Sequence, residues 1–238
     1  MVIVLFVFFV ACGAMASDLT SARAAIVKEI TASNLEVGVA ALHVESAQLL
    51  SVNGNGRLPM ASVYKFPIAL AVLNQAEEHK IDLLELIQVT EGDIRSGAVG
   101  PIARDYPKGG VKLSVSTLLK FTVSDSDNSA CDLLLKRLGG PKAATRIMVK
   151  WGFEQISIDG YEKELIKTNS SESRRLDTAS ADDLVRLYAK LWSGQLLNPE
   201  HTHLLIALMT DANTPPHIGN GLPPETTIFN KSGWCSCN

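Results

Sequence analysis

Hydrophobic and polar positions fall into blocks of different period along the chain. Residues 1–10 (MVIVLFVFFV) are apolar without a break. From Asp18 to Ile30 the apolar residues recur at helical intervals, which predicts an amphipathic helix. Val37–His43 and Leu49–Val52 read as the two strands of a β-hairpin, ended by the turn chemistry of Asn53-Gly54-Asn55-Gly56. Met60–Leu73 has the length of a helix and almost no polarity. Ser116–Val123 with Ser116 as its N-cap, Ser129–Leu138, Ala181–Trp192 and Pro199–Met209 predict further helices. Thr226–Phe229 predicts a last strand. Strands, a long run of helices and a strand again imply an α/β fold. A sheet-containing part is built from both chain ends (17–58 and 211–238), and a helical part (59–210) is inserted between them.

Composition changes this picture little. With 46% hydrophobic and 20% charged residues, global disorder is excluded. A net charge of −3 offers no basic surface for a nucleic acid. The 238 residues suit one large domain or two intertwined subdomains. The N-terminal apolar run is followed by Ala14-Met15-Ala16, an A-x-A pattern before Ser17. This predicts a secretory signal peptide over 1–16 and a periplasmic or secreted mature chain. The run is shorter than the roughly 20 apolar residues needed to span a membrane. No Lys or Arg precedes Arg23, so the usual positive n-region is missing. Lipid attachment at Cys12 is the alternative, which Phe9 fits poorly. The mature chain keeps Cys131, Cys235 and Cys237, which do not make a disulfide framework. Cys131 lies in an apolar helical pattern and reads as a small core residue. Cys235 and Cys237 have too few ligands nearby for a metal site.

The chemistry begins in Met60–Leu73, MASVYKFPIALAVL, whose only charged residue is Lys65. A helix apolar on all sides belongs in a core, and an ammonium buried there is costly unless paired or neutral. Ser62 lies three residues earlier, on the same face. It also sits near the helix start, where backbone N–H groups favour developing negative charge. Together these describe an activated serine nucleophile. Alternatively, Ser62 is an N-cap and Lys65 a snorkelling side chain. Two further motifs bear on the choice. Ser126-Asp127-Asn128 precedes a helix, and Lys231-Ser232-Gly233 follows the last strand. S-x-x-K, S-D-N and K-[ST]-G in this order form the signature of class A β-lactamases and penicillin-binding proteins.

On these motifs the mature chain up to Gly233 resembles a class A serine β-lactamase. It is most similar to a subgroup with an SVYKF serine helix (Ser62–Phe66) and with Cys-Asp shortly after S-D-N (Cys131-Asp132). The resemblance implies an α/β part holding both termini, a helical part, and an active site in the cleft between them. It implies Ser62 as the nucleophile that opens the lactam ring and Lys65 as an aid to proton removal, with Lys65 or a glutamate as the acylation base. Ser126 would relay a proton to the leaving lactam nitrogen. Asn128 would bond the substrate's side-chain amide, or tie the helical part together. Lys231 would supply positive charge and bond Ser126, and Ser232 would contact the substrate carboxylate. The backbone N–H groups of Ser62 and of Trp234, which follows Gly233, would form the oxyanion hole. No cofactor or metal is implied.

Deacylation needs a base that activates water, and the family carries it as a Glu in an E-x-x-L stretch. Glu162-Lys163-Glu164-Leu165 fits, with Glu162 the assigned base and Glu164 the alternative. Asp132 would support the loop that carries Glu162, or serve structure alone. Ile166 stands where the family usually has Asn, Val99 where an aromatic residue often lines the cleft rim, and His217 where the subgroup has a carboxylate-binding arginine. A histidine there is a weaker, pH-dependent cation, with a reference pKa of about 6.5; the other reading is an ordinary loop histidine. The implied function is hydrolysis of β-lactam antibiotics in the periplasm by a monomer. The alternatives are a penicillin-binding D,D-peptidase, or a relic that acylates without turnover. Family members continue past K-[ST]-G with two strands and a closing helix, whereas Gly233 is followed here by Trp-Cys-Ser-Cys-Asn. The resemblance therefore implies a chain shortened or frameshifted near Trp234, with an uncovered strand edge.

Overall fold

The computed structural model describes residues 16–94, 100–162, 177–212, 221–223 and 225–234, with side chains from residue 19 onward. Helix α1 (Ala16–Ser33) leads into the antiparallel hairpin β1 (Val39–His43) and β2 (Gln48–Val52), with Val39 opposite Val52 and His43 opposite Gln48. Alternating side chains leave a strand on opposite faces, and both faces of this hairpin are covered. Val39, Leu50 and Val52 pack on Leu19, Ile26 and Ile30 of α1, one helical stripe. Ala40 and Leu42 turn the other way, onto Ala181 and Val185. Those two belong to α7 (Ala181–Trp192), which is N-capped by the Ser180 side chain.

The interior is organised around α2 (Lys65–Glu77), entered through a 3₁₀ turn over Ala61–Tyr64. Every residue from Lys65 to Leu73 is buried, as an all-round apolar pattern requires. Its walls are α4 (Val115–Val123), α5 (Asn128–Leu138), α6 (Pro141–Lys150) and α8 (Pro199–Thr210). Leu70, fully buried, is one test of that packing: Leu70→Ala would cost about 2–5 kcal/mol. Short pieces complete the frame. They are β3 (Arg57–Pro59) paired with β6 (Thr178–Ser180), β4 (Leu86–Val89) paired with β5 (Val111–Ser114), and α3 (Pro101–Asp105).

Three expectations are corrected. Helix α4 starts one residue earlier and its N-cap is Ser114, whose Oγ accepts the Thr117 N–H at 3.1 Å; Ser116 lies inside the first turn. The stretch 59–210 is not purely helical, since it holds β4, β5 and β6. These are too short to show a two-residue period in the sequence. Thr226–Phe229 forms no strand among the described residues. A strand needs a ladder partner; here Phe229 packs on Tyr188 and Trp192 of α7, and the following Asn230 N–H donates to the Met209 carbonyl of α8 at 3.2 Å. The N-terminal apolar run, Cys12, Val99, Glu164, Ile166, His217, Cys235 and Cys237 lie outside the described residues. No described helix is long and apolar enough to cross a membrane.

Candidate active site

Ser62 occupies the 3₁₀ turn ahead of α2 and is not a helix N-cap, because α2 begins at Lys65 with Tyr64 before it. The preceding Ala61 has φ 46°, a left-handed conformation disfavoured for alanine. Gly233 comes up against this turn. A Cβ at Gly233 would stand 2.7 Å from the Met60 carbonyl oxygen and 2.9 Å from the Ser62 nitrogen, so only glycine fits. The approach sets the Gly233–Trp234 peptide beside the serine, where the oxyanion donors are expected. The Trp234 side chain is exposed.

Lys65 does not snorkel, because its side chain has no exposed surface. Its Nζ lies 3.1 Å from Ser62 Oγ, 2.7 Å from the Ser126 carbonyl oxygen, 3.4 Å from Ser126 Oγ and 2.6 Å from Asn128 Oδ1. The Glu162 carboxylate is 3.2 Å away. Sixty residues of sequence separate Lys65 from the S-D-N loop, and the packing of α5 on α2 closes that distance. Ser126 turns both its oxygens toward Lys65 from a left-handed conformation, φ 56°. Such a conformation costs on the order of 1–3 kcal/mol and persists only where the surroundings enforce it. Asp127 does the enforcing. Its carboxylate caps α5 through the Ala130 N–H at 2.9 Å and takes the Ile102 N–H of α3 at 2.8 Å. Burial raises the Asp127 pKa, and these backbone donors oppose the rise. Gly100 is required beside it, since a Cβ there would lie 2.4 Å from Asp127 Oδ2.

Lys231 approaches Ser126 from the opposite side. Its Nζ donates to Ser126 Oγ at 3.0 Å and to the Ser232 carbonyl at 2.9 Å. Burial, with the neighbouring Lys65 charge second, lowers its pKa to about 7. Ser126 Oγ thus sits between the two lysine side chains, 3.4 Å from Lys65 Nζ and 3.0 Å from Lys231 Nζ. Ser232 is partly buried next to it.

Glu162 is buried, and its backbone N–H donates to Asp132 Oδ1 at 2.7 Å. The acidic group in the apolar face of α5 therefore holds the segment carrying Glu162. Asp177 holds it from the other side, and sequence reasoning missed it. Its Oδ1 accepts the N–H groups of Asp159 at 2.7 Å and Gly160 at 3.2 Å, while its carbonyl accepts the Met60 N–H at 2.9 Å. Burial raises its pKa to about 7 against those two donors, with the Asp159 and Glu162 charges adding to the rise. The only sequence signal was a lone Asp before the extended Thr178-Ala179-Ser180. Cys131 is a buried core thiol, as read, and donates to the Tyr64 hydroxyl at 3.3 Å. Among the described residues no three His, Cys, Asp or Glu side chains converge to hold a metal ion.

The geometry thus gathers Ser62, Lys65, Ser126, Asn128, Glu162, Lys231 and the backbone of Gly233 around one point. The arrangement can deprotonate a serine, relay a proton through a second hydroxyl and hold a carboxylate against the same lysine. Comparison with known proteins agrees. Residues 19–238 match the model of the beta-lactamase enzyme family. A beta-lactamase of Streptomyces cellulosae is 33% identical over 229 residues, covering 94% of this chain and 72% of its own. The crystal structure of the TLA-1 extended-spectrum beta-lactamase superposes with a TM-score of 0.87 at 31% identity, covering 92% of this chain and 79% of that one. An ancestral class A beta-lactamase superposes with a TM-score of 0.80 at 26% identity, covering 89% and 79%. This chain belongs to the β-lactamase enzyme family and has the serine β-lactamase fold of its class A members.

Proposed function

We propose that the protein hydrolyses β-lactams through an acyl-enzyme on Ser62. The observation that carries this reading is the position of Lys65 Nζ, within 3.4 Å of Ser62 Oγ, Ser126 Oγ and Glu162 Oε1 alike. In acylation Ser62 Oγ bonds to the lactam carbonyl carbon, and its proton passes to the Lys65–Glu162 pair. The C–N bond then breaks, and Ser126 hands a proton to the nitrogen and is resupplied from Lys65 or Lys231. Backbone N–H groups of Ser62 and Trp234 stabilise the oxyanion, each donor worth roughly 2.7–4 kcal/mol. Asn128 bonds the substrate's side-chain amide. Lys231 and Ser232 hold its carboxylate, assisted by His217. In deacylation Glu162 takes a proton from water, which attacks the ester and frees Ser62. The substrate class is penicillins and cephalosporins. The proposed setting is the periplasm, reached by a signal peptide cleaved near Ala16, and the proposed state a monomer.

A penicillin-binding D,D-peptidase would share the three motifs. The buried Glu162 against Lys65 favours the lactamase, because a transpeptidase relative lacks that base. The purified chain, mixed with a chromogenic cephalosporin while hydrolysis and intact mass are followed, separates the readings. Many turnovers per chain are expected. A stable adduct without turnover would instead favour the peptidase or a relic, and no adduct would remove Ser62 as the nucleophile.

A further inference from the structure

Lys231 has to be held against Ser126, yet the segment bearing it pairs with no described strand. Its side chain is buried and its partners are Ser126 Oγ and the Ser232 carbonyl. Among the described residues, a row of aromatic rings packs against the segment. Tyr188 and Trp192 stand four residues apart on α7, on one face. Phe229, two residues before Lys231, stacks on Trp192 with centroids 5.8 Å apart and an interplanar angle of 14°. It lies tilted against Tyr188 at 6.1 Å. Tyr188 in turn stacks on Phe66 at 4.1 Å, and Phe66 is the chain neighbour of Lys65. The fully buried Tyr188 hydroxyl faces the Lys231 backbone. One ring therefore touches the chain next to both lysines.

We infer that Tyr188 is a positioning residue for Lys231, clasping the K-S-G segment through Phe229 and fixing its depth relative to Lys65. The depth matters because Lys231 is surrounded by Lys65 from α2, Ser126 and Cys131 from the S-D-N loop and α5, Glu162 from its loop, and Tyr188 from α7. Loosening the clasp moves the ammonium toward water, where it holds its proton more tightly. The consequence for catalysis rests on the acyl-transfer reading above. Lys231 serves substrate binding and the Ser126 relay, so acylation depends on the clasp. Deacylation depends on Glu162, which is held by Lys65 and Asp132 rather than by the clasp.

Two measurements test this. The Lys231 Nζ titration is followed by heteronuclear NMR, its signal assigned by its loss in Lys231→Arg. The wild-type midpoint is expected near 7. In Tyr188→Leu it should rise by at least about one unit, roughly tenfold in proton affinity, with a smaller rise in Tyr188→Phe, which keeps both stacks. The acylation constant for a chromogenic cephalosporin should fall roughly tenfold in Tyr188→Leu, with deacylation of the formed adduct unchanged. A folded Tyr188→Leu with an unmoved midpoint, or with both steps slowed alike, overturns the inference. If Tyr188→Leu does not fold, Phe229→Leu removes the other ring, with the same expected directions and the same contradicting results. A wild type that forms no adduct defeats the acyl-transfer reading alone, because the NMR midpoint still decides the clasp.

Discussion

Two buried lysines reach the hydroxyl of Ser126, and the two regions that deliver them are built in opposite ways. Lys65 rides on the first turn of α2, a helix walled by four others, and meets four neutral oxygens and the Glu162 carboxylate. Among the described residues, Lys231 comes from a segment without ladder hydrogen bonds, seated on aromatic rings, and no carboxylate lies within ion-pair distance of it. A buried cation without a close counter-charge is poised to lose its proton. The same atom type in the same cleft is thus suited to different work. In the proposed mechanism Lys65 organises the nucleophile, and Lys231 provides a charge whose proton burial makes easier to lose.

Four experiments bear on that contrast. The largest effect belongs to the α2 side: Ser62→Ala should abolish the covalent adduct and cut hydrolysis by at least about 10⁴-fold, read by intact mass and initial rate. On the other side, Gly233→Ala forces a Cβ into the Met60 and Ser62 backbone. It should lower kcat/KM by roughly 10²-fold, the scale of a lost oxyanion donor, with less effect on melting temperature. A wild-type rate there would show that the two regions need not touch. Third, Lys231 passes from charged to neutral as pH rises through about 7. KM for a carboxylate-bearing β-lactam should climb above that pH, at most about tenfold per unit, and Lys231→Arg, charged throughout, should flatten the rise. The smallest effect concerns Asp177. Its folded pKa of about 7 exceeds its ordinary value of 3.8, so the folded state binds more protons between those limits. The stability this group contributes is full below about 4 and is lost as pH rises toward 7. Asp177→Asn should remove that fall, seen as a flatter melting temperature between pH 4.5 and 7.5, by about 2–4 °C per kcal/mol for a chain this size.

What could be read from the sequence follows the same division. The α2 side was legible because its signals are local: an unbroken apolar run, one lysine within it and a serine one turn earlier. Helix α7 carried strong helical periodicity and runs over the range expected, and α8 starts at the Pro199 expected. Glu162, Ser126 and Lys231 came from motif resemblance, since their convergence on Lys65 depends on packing between elements far apart in the chain. Thr226–Phe229, just ahead of K-S-G, was misread as a strand because Thr226-Thr227-Ile228-Phe229 has strand-like composition. Pairing depends on a neighbour that no local pattern can supply. Asp177 and Tyr188 were missed for a related reason. One is a single acid ahead of a three-residue strand, the other a tyrosine in an apolar helical face. Each acquires its role from the backbone brought against it.

In the proposed mechanism Ser62 forms an ester that Glu162 clears, and both steps meet at Lys65. Glu162→Gln tests it most directly, by intact mass after mixing with a slowly hydrolysed cephalosporin. Rapid, stoichiometric acylation on Ser62 is expected, with an adduct that persists at least about 10²-fold longer than in the wild type. An adduct that clears at the wild-type rate, or a variant that never acylates, would contradict it.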